Sequence, residues 1–306
     1  MVRTFLSKAD YTIIGTSQDK KNVSDFSIII LTSGLLNTRE HLIEICQLLK
    51  PAEIILLERN AALYNADLLV SKNSSVRVIK FADSASAGIM LNIAIQEAMS
   101  RYVLVIDSGF SDISHPKGRV EFPNDVAVVS FSRTFWGEEI PSVFAPWFEK
   151  KRLKLLPIPD AVPGDITIQL PSYSGIYNRD VFERIGGFDE AIEKPYWQRL
   201  EFCLRAYMWG YRIVYEPSIV VEVDSEPGIE DMTPYESYYR FFLKTLAVKI
   251  ENNVASLPFL SFLLSALRAN VSWGYALRQY KEIKLWIYKN RKNIIYSAEA
   301  VCDMWN

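Results

Sequence analysis

Histidine and cysteine are both scarce in this chain of 306 residues. There are two histidines, His41 and His115, and three cysteines, Cys46, Cys203 and Cys302. The cysteines are scattered, odd in number and form no Cys-x-x-Cys pair, which argues against a disulfide framework and a structural zinc site. Each lies in an apolar stretch, where a structural thiol is the default. A reducing compartment is therefore expected, with a cytoplasmic location. Residues Met1 to Phe26 are polar after the first few positions and lack the apolar core of a signal peptide. The most apolar late run, Val254 to Leu267, is interrupted by Pro258 and is too short to span a bilayer. No global basic excess exists: 34 Lys and Arg stand against 36 Asp and Glu. A nucleic-acid partner is accordingly not expected.

What remains is the composition of a folded globular protein, 49% hydrophobic and 23% charged. After a polar lead-in over residues 1–25, Ser27–Thr32 (SIIILT) reads as a buried strand, β-branched and apolar on both faces. Residues 37–49 have helical spacing, with Leu42, Ile45, Cys46 and Leu49 on one face and a cap at Asn37 or Thr38. Glu53–Leu57, Val76–Ile79 and Tyr102–Ile106 read as further strands, and Ser84–Met99 as a helix between the last two. This alternation predicts right-handed βαβ crossovers and a mostly parallel sheet. Such sheets bind ligands beyond the carboxyl ends of their strands. Thr32, Ser33, Glu58 and Asp107 fall there.

The middle of the chain, Ser111 to Ser172, reads as irregular apart from a strand at Val126–Ser132. Its aromatics Phe135, Trp136 and Trp147 suit either a sugar-stacking surface or a core plug. Trp197–Trp209 is strongly helical and ends at Gly210. Tyr211–Tyr215 and Ile219–Val223 read as strands on either side of Pro217. From Thr233 the pattern is helical, over roughly 234–252, 258–269, 273–290 and 293–304. Between Arg268 and Lys292 lie seven Lys or Arg and a single acid, Glu282. Interleaved with Trp286 and Tyr288, these cations suit an anionic membrane surface or, more simply, a solvated helix face.

Two blocks then resemble the family 2 glycosyltransferases. The first runs over about residues 26–109: SIIILTSG, then EIILLE ending in Glu58, then Asn92 fifteen residues before Asp107. The second runs over about residues 173–223: YSGIYNRDVFERIGGFDE from Tyr173 to Glu190, then FCLRAYMWGYRIVYEP from Phe202 to Pro217. The resemblance implies a GT-A (Rossmann-like) α/β fold over 26–230, a mixed, mostly parallel sheet flanked by helices, with a helical appendage over 231–306. It implies transfer of a sugar from a nucleoside-diphosphate sugar to a glycan, lipid or protein acceptor. It also implies a donor site at Thr32, Ser33, Glu58, Asn92 and Asp107. Asp189, Glu190 and Glu201 become the candidate catalytic carboxylates.

Several positions depart from the family's pattern. Its DxD motif holds Mg²⁺ or Mn²⁺ and the sugar diphosphate, and here it reads Asp107–Ser108–Gly109. Asp107 is then the one candidate metal ligand of the motif, and a divalent cation is expected to bind weakly or not at all. The acidic base motif falls on Gln198–Arg199–Leu200–Glu201, where Glu201 alone is a carboxylate. The family's late histidine falls near Val223. These departures keep a second reading open: a degenerate glycosyltransferase fold acting as a binding or partner subunit.

Overall fold

The computed structural model describes residues 9–16, 26–32, 38–59, 64–114, 123–149, 152–225, 228 and 230–305. Its first half runs β1 (Tyr11–Ile14), β2 (Phe26–Leu31), α1 (Arg39–Leu48), β3 (Ile54–Arg59), α2 (Ala66–Lys72), β4 (Val76–Phe81), α3 (Ala87–Glu97) and β5 (Tyr102–Asp107). Next come β6 (Phe110–Ser114), β7 (Val126–Phe135), β8 (Glu138–Ile140), β9 (Phe144–Glu149) and β10 (Arg152–Pro157). They are followed by β11 (Gly175–Asn178), α4 (Arg179–Ile185), α5 (Pro195–Met208) and β12 (Arg212–Val223). The chain closes with α6 (Glu236–Lys244), β13 (Lys249–Glu251), β14 (Val254–Ser256), α7 (Phe259–Arg268), α8 (Trp273–Asn290) and α9 (Ala298–Cys302).

One mixed sheet organises these elements, in the order β1-β4-β3-β2-β5-β11-β7-β12-β6, with β8 hairpinned onto β7. The four strands β4, β3, β2 and β5 are parallel, as βαβ crossovers require. Their residues Ile28, Ile30, Ile54, Leu56, Val78 and Val105 are fully buried. Apolar runs without alternation suit a sheet covered on both faces. One face packs on α3, α4 and α5, and the C-terminal helices extend that core. The other face packs on α1 and α2.

The chain between Ser111 and Ser172 is not irregular. It forms β6, the β7–β8 hairpin and the β9–β10 ribbon. Proline is tolerated because Pro146 and Pro157 lie in a two-stranded ribbon, where a missing N–H costs no central ladder bond. The two strands expected around Pro217 are one long strand, β12, whose register shifts between Glu216 and Val220 to absorb the proline. The helix expected over 234–252 ends after Lys244, and a β13–β14 hairpin follows. Its turn residues Asn252 and Asn253 both have positive φ, 50° and 60°, which asparagine tolerates better than most residues. Helices α7 and α8 lie where helical spacing puts them. All three cysteines are buried and free, and burial pushes the Cys46 and Cys203 thiols up to about 12. Among the described residues no helix is long and apolar enough to cross a membrane.

Helix α6 is fastened to the core by charge. Lys244 Nζ lies 2.7 Å from Asp189 Oδ2 and 3.0 Å from Glu201 Oε1. Arg240 Nε adds 2.8 Å to the same Asp189 oxygen, and its Nη2 reaches Glu282 of α8 at 2.9 Å. Arg205 clasps Glu201 through Nε at 2.7 Å and Nη2 at 2.9 Å. Burial opposes ionisation of both acids, but Lys244 and Arg240 hold the Asp189 carboxyl well below the usual range. Arg205 and Lys244 likewise hold Glu201 low. Removing one partner of such a lattice leaves a buried charge exposed to an apolar surround. Lys244→Met should cost about 3–5 kcal/mol by chemical denaturation. Because both carboxyls are depressed, their stabilisation is complete above about pH 4 and is lost as the pH falls below it. The acid-side decline of Tm should be shallower in Asp189→Asn than in the unmodified chain. Equal slopes would mean the lattice does not govern acid stability.

Candidate functional site

The parallel strands deliver three polar positions to one edge. Asp107 ends β5 and is in register with Leu31 at the end of β2, which is in turn in register with Leu57 of β3. Asp107 and Glu58 therefore sit at the same edge, two strands apart, about 10 Å at the usual strand spacing. Thr32 lies between them. Its hydroxyl donates to the Leu57 carbonyl and its N–H to the same oxygen at 3.3 Å. Ser33 lies outside the described residues.

Glu58 is buried and already paired. Arg39 Nε lies 2.6 Å from its Oε1, and Nη2 donates to Oε2 at 3.2 Å. The Arg39 guanidinium stacks on the Tyr64 ring at 3.9 Å. Burial, then the neighbouring Glu58 charge, pushes the Tyr64 phenol well up.

Asp107 has a different setting. It is half-buried, and Ser174 Oγ donates to Oδ2 at 3.4 Å while accepting the Asp107 N–H at 3.2 Å. Burial pushes its carboxyl up. Against that act a hydrogen bond from Ser172, the charge of Arg199, the Ser174 hydroxyl and the charge of Arg133. Arg199 comes from α5. Its Nε donates to the Leu170 carbonyl at 3.1 Å, and its Nη2 pairs with Glu230. Arg133 comes from β7 and is only 8% exposed. Sequence reasoning passed over Arg133, because a cation just before a strand-ending turn looks like a surface residue. It also passed over Ser172 and Ser174, whose one signal was their place beside the Gly175 strand.

The other carboxylates form a second group. Asn92, on α3, donates to the Phe188 carbonyl at 2.9 Å and to Glu190 Oε1 at 3.1 Å, and accepts the Phe188 N–H at 2.8 Å. It thereby fixes the turn after α4 and orients Glu190, which is half-buried. Asp189 and Glu201 are engaged in the cation lattice described above. The three carboxylates thus divide: Glu190 contacts a neutral amide, while Asp189 and Glu201 face cations.

Gln198 lies in the first turn of α5, and its amide has a specific task. Nε2 donates to the carbonyls of Asp189 at 2.9 Å and Ile192 at 3.0 Å, and Oε1 accepts from the Tyr173 hydroxyl at 2.5 Å. A carboxylate has no donor for those two carbonyls. Gly88 of α3 is required opposite it, since a Cβ there would lie 2.3 Å from the Gln198 oxygen. Trp136, at the tip of the β7–β8 hairpin, is 85% exposed with φ 55°, so it plugs no core.

No protein-family model matches the sequence, and no curated protein does. Solved structures are similar in fold. GalNAc-T7, determined with UDP, GalNAc and Mn²⁺, superposes with a TM-score of 0.60 at 11% identity, over 93% of this chain and 57% of that one. The chain thus spans little more than half the length of that relative. The mannosyltransferase PcManGT from Pyrobaculum calidifontis, in complex with GDP-Man and Mn²⁺, gives 0.41 at 12% identity, over 92% and 74% of the two chains. An overlap of 0.41 carries no argument. The fold is that of the GT-A glycosyltransferases, a mixed sheet with a parallel centre flanked by helices.

Exchanging the Gln198 amide for a carboxylate should harm this protein. Gln198→Glu would set a buried charge against two carbonyls and is expected to cost about 3 kcal/mol in a denaturation midpoint. An unchanged midpoint would show that the amide is dispensable.

Proposed function

We propose that this chain binds a nucleoside-diphosphate sugar at the carboxyl edge of β2, β3 and β5 and transfers the sugar to a glycan, lipid or protein acceptor. The observation that carries the reading is Asp107, half-buried at the end of a central parallel strand, with serine hydroxyls and two arginines around it. It stands where sheets of this kind take nucleotides. The motif resemblance to the family 2 glycosyltransferases supports the same donor class. Thr32, Ser33 and Glu58 complete the proposed donor side, Glu58 for a base or ribose group once Arg39 yields; Asn92, buried and bonded to Phe188 and Glu190, supports the acceptor side instead.

In the transfer, an acceptor hydroxyl oxygen bonds to the anomeric carbon as that carbon's bond to the phosphate oxygen breaks. The electron pair leaves with the diphosphate, and a carboxylate takes the hydroxyl proton. Of Asp189, Glu190 and Glu201, we assign that role to Glu190. Cations hold Asp189 and Glu201 low, which makes them weak bases. Their part is to hold the turn that carries Glu190.

GalNAc-T7 was determined with Mn²⁺, which raises the question of a divalent ion here. Asp107 is the one carboxylate of its motif, and the charges acting on it come from Arg199 and Arg133. Among the described residues no group of three or more His, Cys, Asp or Glu could hold a metal. Two guanidiniums stand beside Asp107, and the other carboxylate of the cluster, Glu230, is paired with Arg199, so the residues do not fit a resident Mg²⁺ or Mn²⁺.

The acceptor side has one further feature. On α8, Leu277, Leu285 and Tyr288 are exposed along the same outward face as Arg278, Lys281 and Lys284. Apolar and cationic residues so mixed match an anionic lipid surface, and Glu282, the acid nearby, is taken up by Arg240. The chain should float with anionic vesicles at low salt and release at high salt. Retention in the soluble fraction at low salt would remove lipid contact.

Asp107→Asn should weaken binding of a nucleoside diphosphate by about 1.5–3 kcal/mol in calorimetry. Unchanged affinity in a folded variant would remove Asp107 from the site. Release of nucleoside diphosphate from a panel of donor sugars separates the two functional readings. Binding without release from any donor, with or without acceptor glycans, would favour a binding subunit over an enzyme.

A further inference from the structure

We propose that Arg133 and Arg199 form the diphosphate-binding site of this chain and neutralise the leaving group directly, in place of a divalent cation. The inference rests on the donor reading above and says how the donor's charge is met.

Arg133 is the anomaly that motivates it. The residue is more than nine-tenths buried, yet among the described residues its Nε has no hydrogen-bond partner. Nη2 makes one long contact, 3.4 Å to the Pro141 carbonyl. The charges that act on the group belong to Asp107, Arg199 and Glu230. A guanidinium carries five N–H donors in a fixed fork that matches phosphate oxygens, and a buried donor left unpaired is costly. Burial and the second cation push Arg133 down to about 10, with Asp107 opposing, so the group remains charged at neutral pH. A diphosphate would supply the missing acceptors and relieve the mutual repulsion of the two arginines.

The surrounding groups sort by charge. A carboxylate repels phosphate and accepts from hydroxyls, so Asp107 takes the ribose hydroxyls while the guanidiniums take the phosphates. Ser172 and Ser174 hold Asp107 in place. Glu230 pairs with Arg199, but its side chain is 36% exposed, so it can turn to water at modest cost. One of its oxygens, Oε2, has no hydrogen-bond partner. Glu230 thus acts as a placeholder that an incoming diphosphate displaces from Arg199. Arg199 stays in position because Nε remains bound to the Leu170 carbonyl and the guanidinium lies 5.3 Å over the Tyr173 ring. As the sugar departs, fixed donors meet the charge that develops on the leaving oxygen without reorganising.

Calorimetry of the full chain with UDP, GDP, CDP, ADP and dTDP tests this, in EDTA and again with Mn²⁺. At least one nucleoside diphosphate should bind in EDTA, with affinity within about twofold of that in Mn²⁺. Arg133→Gln should weaken it by about tenfold or more, the usual loss for one charge-assisted contact, and Arg133→Lys should recover part of the loss. Glu230→Gln should strengthen binding, because the competing carboxylate is gone. This substitution is at a part-exposed position, so it decides the matter even if the Arg133 variants fail to fold. Binding that requires Mn²⁺ would overturn the inference and leave the donor reading standing. So would full affinity in a folded Arg133→Gln, or weaker binding in Glu230→Gln. No binding of any nucleotide under either condition would overturn both.

Discussion

Lys244 is the contact on which the arrangement of the candidate site depends. Its ammonium touches Asp189 of the turn after α4 and Glu201 of α5, while α6 itself carries it in from the C-terminal region. Two neighbouring segments and the distant α6 meet at one charge. Lysine and glutamate are seldom buried without partners, and here each is fully partnered. The cost of desolvating these ions is recovered only if all three segments are in register. The lattice therefore fixes where α5 sits, and α5 also carries Gln198 and Arg199 toward the donor edge. It fixes the turn after α4 as well, and through Asn92 the orientation of Glu190.

Within α5 the residues from Gln198 to Glu201 each meet a different local demand. Gln198 needs an amide because it faces carbonyls. Arg199 needs to be a cation that bonds the Leu170 carbonyl while facing Asp107. Glu201 remains acidic, but to pair with Arg205 and Lys244. The contacts of Gln198 and Arg199 could not be made by carboxylates, which have no donors for the carbonyls they face. These demands are mutually consistent, which is what a folded site under its own constraints looks like.

Strands β2, β3 and β5 were legible from sequence because each is a short apolar run on both faces, a pattern that suits a covered sheet, and β4 by its β-branched residues between turns. Asp107 and Glu58 were legible for the same reason, as the polar residues that terminate those runs. The strands between Ser111 and Ser172 were not legible. Their periods are short and broken by Pro146 and Pro157, and tertiary pairing settles them. The hairpin at Lys249–Ser256 was masked by apolar residues at helical spacing on either side, although the Asn252–Asn253 pair is a turn signal. Ion-pair partners were the least legible. Asp189 lies 51 and 55 positions from Arg240 and Lys244, and no local pattern links them. The pairing of Glu58 with Arg39 was invisible for the same reason.

The two charged clusters differ in a way that separates architecture from chemistry. In the Lys244 lattice, Arg205, Arg240 and Lys244 face Asp189, Glu201 and Glu282, and the contacts are short and mutual. Nothing there asks for a ligand, and a ligand would have to break the fold to enter. At the carboxyl edge of β5 Arg133 and Arg199 face Asp107 and Glu230, the same balance of charge, but the bonding is incomplete. Among the described residues, Arg133 Nε and Glu230 Oε2 are both buried without partners. Native structures leave few such atoms, and those they leave ask for an explanation. Charge balance without hydrogen-bond satisfaction is a state that a third party can improve. A group with many acceptor oxygens and negative charge improves it for both arginines at once, releasing Glu230 to solvent. The unsatisfied cluster, not the satisfied one, is therefore where binding free energy is available.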